Sequence, residues 1–217
     1  MIYRNMKYLD FKNKIRNFPV FSSSQLSGFD EKEAVLRNQL SYWKKKGLVL
    51  EVKKGLYVLN EHDRKITPSR YFLANHIYAP SYVSTEFALG HYGLIPERIF
   101  DVTSVTPRKT ARFHNPFGLF IYQHIGISCF DGFRETKDEN NLSFMIASPE
   151  KAVIDFIYLN LGLFTHKQPE LFELSYRFQN IDLIDPEYLL SLAACFQCKK
   201  LIRVVDSFIE YFNMQRG

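Results

Sequence analysis

Apolar positions recur at helical spacing through the first fifty residues and then change period. Between residues 7 and 18, Tyr8, Leu9, Phe11, Ile15 and Phe18 fall at helical intervals, and Pro19 closes the run because a residue before proline avoids the helical region. Ser22, Ser23 and Ser24 offer caps to a short second helix at about residues 24–27, ended by Gly28 and Phe29. Asp30 then caps a longer helix over residues 31–46, with Glu33 as the partner in a capping box and Gly47 as the stop. Two strand-forming runs follow, residues 48–52 and 56–59, and Lys53, Lys54 and Gly55 between them have the length and the glycine of a hairpin turn. Helix, helix, helix, hairpin is the order of a winged helix-turn-helix, which the pattern predicts over residues 1–62.

Residues 60–68 are polar and end at Pro68, suited to the first turn of a new helix, so a second and larger domain is expected over residues 63–217. Tyr71, Phe72, Leu73, His76, Ile77 and Tyr78 predict a helix that ends before Pro80, and Ser84 with Glu86 opens another through Tyr92 to Gly93. The period then shortens to that of strands at residues 99–106, 110–113, 119–124 and 142–147, with a turn at Asn115, Pro116, Phe117 and Gly118. Ser148 and Pro149 start a strong helix carrying Ala152, Val153, Phe156, Ile157, Leu159 and Leu161, and residues 186–196 and 199–212 predict two more. The expected fold class is α+β: a winged helix-turn-helix followed by a mixed α/β domain with a small antiparallel sheet and C-terminal helices.

Charge separates these two parts. Residues 1–62 hold 12 Lys/Arg against 6 Asp/Glu, a net of +6, whereas residues 63–217 hold 16 against 17, a net of −1. A basic small unit on a near-neutral large one fits a first part that meets a polyanion, since phosphate neutralisation by Lys and Arg drives nucleic-acid affinity. No apolar run nears the roughly 20 residues that cross a bilayer, and the opening residues lack the apolar stretch of a signal peptide. The 3 cysteines form no disulfide framework, so a reducing, cytoplasmic location is expected.

Around the axis of the third helix, Leu36, Leu40 and Trp43 share one side. The other side carries Ala34, Asn38, Ser41 and Lys45, flanked by Arg37, Tyr42 and Lys44, and this is the expected DNA-reading face. Arg can donate to guanine and Asn to adenine, while small groups permit close approach to base edges. The hairpin tip, Lys53 and Lys54, is expected beside it, neutralising phosphates or entering a minor groove. The alternative is a helical unit whose polar face meets only water.

Enzymatic signatures are missing: the chain has no GxxxxGK[ST] loop, GxGxxG, GxSxG or HExxH, so neither catalysis nor a cofactor is expected. Cys195 and Cys198 form a lone CxxC in a helical pattern, and His62, His76, His91, His114, His124 and His166 share no ligand spacing, so no metal is expected. Glu86, Glu97, Asp101 and Glu150, with Lys151, are the carboxylates a magnesium-dependent nuclease would use, although first-turn positions of helices favour Glu86 and Glu150 without any catalysis.

Longer segments carry a likeness. Tyr82-Val83-Ser84-Thr85-Glu86-Phe87-Ala88-Leu89, then His91-Tyr92-Gly93-Leu94-Ile95-Pro96, Val102-Thr103-Ser104-Val105-Thr106, Arg108-Lys109, Pro116-Phe117-Gly118, Tyr122-Gln123-His124-Ile125 and Ala147-Ser148-Pro149-Glu150-Lys151-Ala152 follow one another in an order that resembles AbiEi-type antitoxins. Arg37 to Gly47 and Lys53-Lys54-Gly55-Leu56-Tyr57 resemble that family's winged helix. The resemblance implies an antitoxin of a type IV toxin-antitoxin, or abortive-infection, system. Its first domain would bind inverted repeats in double-stranded operator DNA and repress its own operon. Its second would counteract a nucleotidyltransferase-like toxin without necessarily forming a stable complex. Arg108, Lys109 and Arg112 are nominated as a toxin-neutralising surface, with a solvated strand edge as the competing explanation. A ligand-responsive regulator with an aromatic pocket in its second domain is the alternative function, and a metal-dependent nuclease the third.

Overall fold

The computed structural model describes residues 6–22, 25–28, 33–164 and 170–216. Among these residues the fold is mixed α and β, with eight α-helices and two sheets, one of three strands and one of six.

The first stretch holds α1 (Tyr8–Ile15), β1 (Phe21–Ser22), a 3₁₀ turn at Gln25–Gly28, α2 (Glu33–Lys45), β2 (Val49–Lys53) and β3 (Leu56–Leu59). The expected cap of α2, Asp30, and the expected first helical residues 31 and 32 lie outside the described residues. Its end is clear. Gly47 takes φ +69°, where a side chain would be strained, and the amide of Leu48 reaches back to the carbonyl of Trp43. Helix α1 closes at Ile15 rather than Phe18, the chain continuing through a single turn in which Phe18 N donates to Ile15 O. Strand β1 was not expected. It pairs antiparallel with β3 through Phe21 and Tyr57, so the sheet runs β1-β3-β2. Phe11, Phe21, Leu36, Leu40, Trp43, Val49 and Leu59 form one buried cluster, with the Phe11 and Trp43 rings 4.5 Å apart.

The rest comprises α3 (Arg70–Ile77), β4 (Tyr82–Val83), α4 (Thr85–His91), β5 (Val102–Thr106), β6 (Ala111–Asn115), β7 (Gly118–His124), β8 (Phe133–Lys137), β9 (Ser143–Ala147), α5 (Pro149–Leu159), α6 (Glu170–Leu174), α7 (Pro186–Ala194) and α8 (Lys199–Arg216). Ser148 caps α5 by accepting from Lys151 N, with Pro149 at the first helical position as expected. The antiparallel sheet is corrected to a mixed one of order β6-β7-β5-β4-β9-β8, in which β5 pairs parallel with β7 and β4 parallel with β9. The reason is the place of β6. It forms a hairpin with β7 and sits outside it, at the sheet edge, so β7 lies against β5 in the same direction. Strands β4 and β8 and helix α6 escaped the pattern: β4 has two residues fused to the next helix, β8 reads as the polar string Phe-Arg-Glu-Thr-Lys, and α6 has five residues.

The three-stranded sheet serves two cores at once. Val49 and Leu59 point into the first cluster, whereas Val52, Leu56 and Val58 are buried in the large cluster built on the six-stranded sheet and α3 to α8. Alternation along a strand puts neighbours on opposite faces, so each strand of this hairpin contributes to both. The polar connector is fastened too. Asp63 takes a hydrogen bond from Tyr8 Oη at 2.7 Å and an ion pair from Lys12 Nζ at 2.8 Å, and Lys65 N donates to Arg16 O.

Candidate nucleic-acid interface

Helix α2 buries Leu36, Leu40 and Trp43 and thereby turns Ala34, Arg37, Asn38, Ser41, Tyr42, Lys44 and Lys45 outward, all of them exposed. Between this helix and the hairpin runs a groove of about 670 Å³, lined by Arg37, Ser41 and Lys44 on one side and by Glu51, Lys54, Gly55 and Tyr57 on the other. The nominated side chains are thus gathered on one surface, except for one.

Lys53 is that exception. Its ammonium donates to the carbonyl of Ile77 at 2.5 Å, at the C-terminal end of α3, where a helix concentrates unpaired carbonyls and negative potential. Burial lowers its pKa, and the Arg108 guanidinium beside it adds to the lowering. The hairpin tip is therefore divided, Lys54 facing the groove and Lys53 fastening the hairpin to the larger region. Asn115 Nδ2 strengthens that junction by donating to Val52 O at 3.1 Å. A bulge between Glu51 and Lys53 separates the two directions.

Charge in the groove is also partly spent. Lys44 Nζ lies 2.7 Å from Glu51 Oε2, and that hydrogen bond raises the lysine pKa. Glu51 was absent from the nominations, although its position on β2 opposite Tyr57 places it on the strand face that meets α2. Lys54 carries the remaining lysine charge there, while Lys45 is exposed on α2 outside the groove lining and Tyr42 lies under Lys46 Nζ at 5.8 Å.

The residues nominated for toxin contact behave unequally. Arg108 donates to Ala79 O at 2.9 Å and lies over the Tyr78 ring at 4.4 Å, so its guanidinium is held in the fold. Lys109 and Arg112 are exposed, Arg112 on the edge strand β6.

Of the carboxylates considered for a nuclease, Glu86, Glu97 and Asp101 border two adjoining clefts, and Glu150 lines neither. Glu97 is ion-paired with Arg177, which holds its carboxyl below the ordinary range. Glu150 is buried and accepts from Asp185 N at 3.0 Å, tethering the start of α7. Among the described residues no three His, Cys, Asp or Glu side chains stand close enough to share a metal ion. Cys195 is exposed with its carbonyl accepting from Cys129 Sγ, and Cys198 is half-buried at the start of α8.

Lys151 and Asp155, one turn apart on α5, are instead the centre of a sealed polar network, exposed by only 1% and 0%. Lys151 Nζ sits 2.7 Å from Asp155 Oδ1, while Asp155 Oδ2 accepts from Tyr82 Oη at 2.8 Å and Ser84 Oγ at 2.7 Å. Burial pushes the Asp155 pKa up against the pull of Lys151 and the two hydroxyls, and burial with the neighbouring carboxylate pushes Tyr82 up. Gly132 makes room for the lysine stem: at φ +77°, a β-carbon there would meet Leu192 at 2.9 Å and Lys151 Cγ at 3.1 Å. With no opening to solvent, this network holds β4 and α5 together rather than meeting a substrate. Helical spacing of Lys151 and Asp155 is visible in the sequence, but their burial is not.

Comparisons of the chain with protein-family models and with curated proteins find no match. No helix among the described residues is long and apolar enough to cross a membrane.

Proposed function

We propose that the chain is a DNA-binding autorepressor of winged helix-turn-helix type and an AbiEi-type antitoxin that counteracts a nucleotidyltransferase-like toxin. The observation that carries the DNA half is the exposed face of α2, which holds Arg37, Asn38, Ser41 and Lys45, with Arg37 and Ser41 lining the groove that Lys54 closes. In this reading α2 enters the major groove of operator DNA, Arg37 and Asn38 donate to base edges, and Lys45 and Lys54 neutralise phosphates on either side. Lys44 contributes less because Glu51 already holds it. The antitoxin half rests on the ordered likeness from Tyr82 to Ala152.

Fluorescence anisotropy on the DNA upstream of the chain's own gene, against scrambled DNA over a salt series, tests the first half. Arg37→Ala is expected to erode preference for the upstream sequence. Lys45→Ala and Lys54→Ala are each expected to reduce the slope of log affinity on log salt by about 0.9, and Lys53→Ala to leave it unchanged. Unaltered affinity in the first three variants would overturn the assigned face. Co-expression with a nucleotidyltransferase-like toxin tests the second half, and growth arrest that the full chain does not relieve would count against it.

A further inference from the structure

Two clefts open side by side in the larger region, away from α2. One, of about 740 Å³, is walled by Tyr71, Phe87, His91 and Phe144. The other, of about 460 Å³, is walled by Glu86, Phe100, Asp101 and Arg112. Arg98 and Ile99, in the segment leading into β5, line both, so the two run together.

The halves differ in chemistry. In the first, Tyr71 stacks on Phe144 with ring centres 4.9 Å apart, packs on Phe87 and meets His91 edge-on at 5.2 Å. Phe87 and Phe144 are buried, leaving the half-buried Tyr71 and the exposed His91 as the aromatic surface a ligand would touch. Partial desolvation of the ring, with Arg134 nearby, lowers the His91 pKa below its ordinary value and favours its neutral form. In the second half, Arg98 and Arg112 are exposed, and neither has a carboxylate partner among the described residues, in contrast to Arg177 on Glu97. Glu86 is half-buried and brings its carboxylate to the wall of this half, with Oε2 shut from water and without a hydrogen-bond partner. Phe100 is 68% exposed at the mouth, with the Arg98 guanidinium 5.4 Å from its ring centre.

We propose that the joined cleft binds a nucleotide, its base on Tyr71 and His91 and its phosphate on Arg98 and Arg112, with a ribose hydroxyl donating to Glu86. A flat aromatic wall accepts the face of any base. Unpaired guanidinium groups match the fork of phosphate oxygens, and the Glu86 carboxylate at the cleft wall accepts from a hydroxyl or amino donor. A nucleotide carries all three features in one molecule, and the cleft has the size of a small-molecule site.

Isothermal titration of the full chain with AMP and with GMP tests this without reference to DNA binding. Adenosine alone and inorganic phosphate alone separate the contributions of base and anion. Saturable binding of at least one nucleotide is expected, at least about tenfold tighter than adenosine or phosphate, as the loss of a charged hydrogen bond implies. Arg112→Gln, an exposed change whose folding circular dichroism can confirm, is expected to weaken it about tenfold, and Lys45→Ala on α2 to leave it unchanged. Absence of saturable heat with either nucleotide up to about 10 mM would overturn the proposal, as would full affinity in Arg112→Gln or equal affinity for phosphate alone.

Discussion

The two cores of this chain treat charge in opposite ways. Around the smaller one, cations stay on the surface: Arg37, Lys45 and Lys54 are exposed, and the ion pair of Lys44 with Glu51 is partly exposed to water. In the larger one, Lys151, Asp155 and Glu150 are taken inside, each held by a named partner. The same residue types stay at the surface in one place and serve as architecture in the other. A charge kept in water costs little to hold and remains available to a partner. A charge removed from water has to be matched on the spot, and once matched it fixes which elements meet.

The sharpest way to break the contrast is Asp155→Asn. It leaves the Lys151 ammonium buried without its counter-charge, and a loss of about 3–5 kcal/mol is expected, read as a large fall in the thermal midpoint. Next comes Leu56→Ala in the shared hairpin, expected to cost about 2–5 kcal/mol and to lower the stability of both cores in a single denaturant transition. Two separate transitions, with only one displaced, would show that the hairpin does not link them.

Acid offers a third comparison. Hydrogen bonds from Lys12 and Tyr8 overcome burial and hold the Asp63 carboxyl below its ordinary value. Its contribution to stability is therefore complete at neutral pH and is lost as pH falls below about 4, through the folded-state value. Asp63→Asn should flatten the part of a stability–pH curve that lies below about pH 4. The smallest effect is expected from Lys44→Ala, whose partly exposed pair with Glu51 is worth less than about 1 kcal/mol in a chemical melt.

Much of the smaller region was legible from the sequence, because Leu36, Leu40 and Trp43 at helical spacing define which side of α2 faces out, and Gly47 marks its end. Strong caps made α5 readable in the same way. The larger sheet was not, since strand direction depends on where a hairpin lies relative to its neighbours, and nothing local to β5 or β7 tells that β6 sits outside them. Lys53 was misplaced for a related reason. Adjacent lysines at a tight turn look alike in sequence, and only the end of α3 and the bulge after Glu51 send one inward and the other to the groove. Arg98 and Phe100 went unnoticed because no periodic pattern marks a loop that joins two clefts.

The sheet that faces two ways bears on how the chain can be divided. A fragment ended after His62 would keep the exposed side of α2 while baring Val52, Leu56 and Val58 to water along one sheet face. Such a fragment would present a sticky ribbon, prone to pair with its own copies. A well-behaved short version would need those three positions made polar before it could report on α2 in isolation.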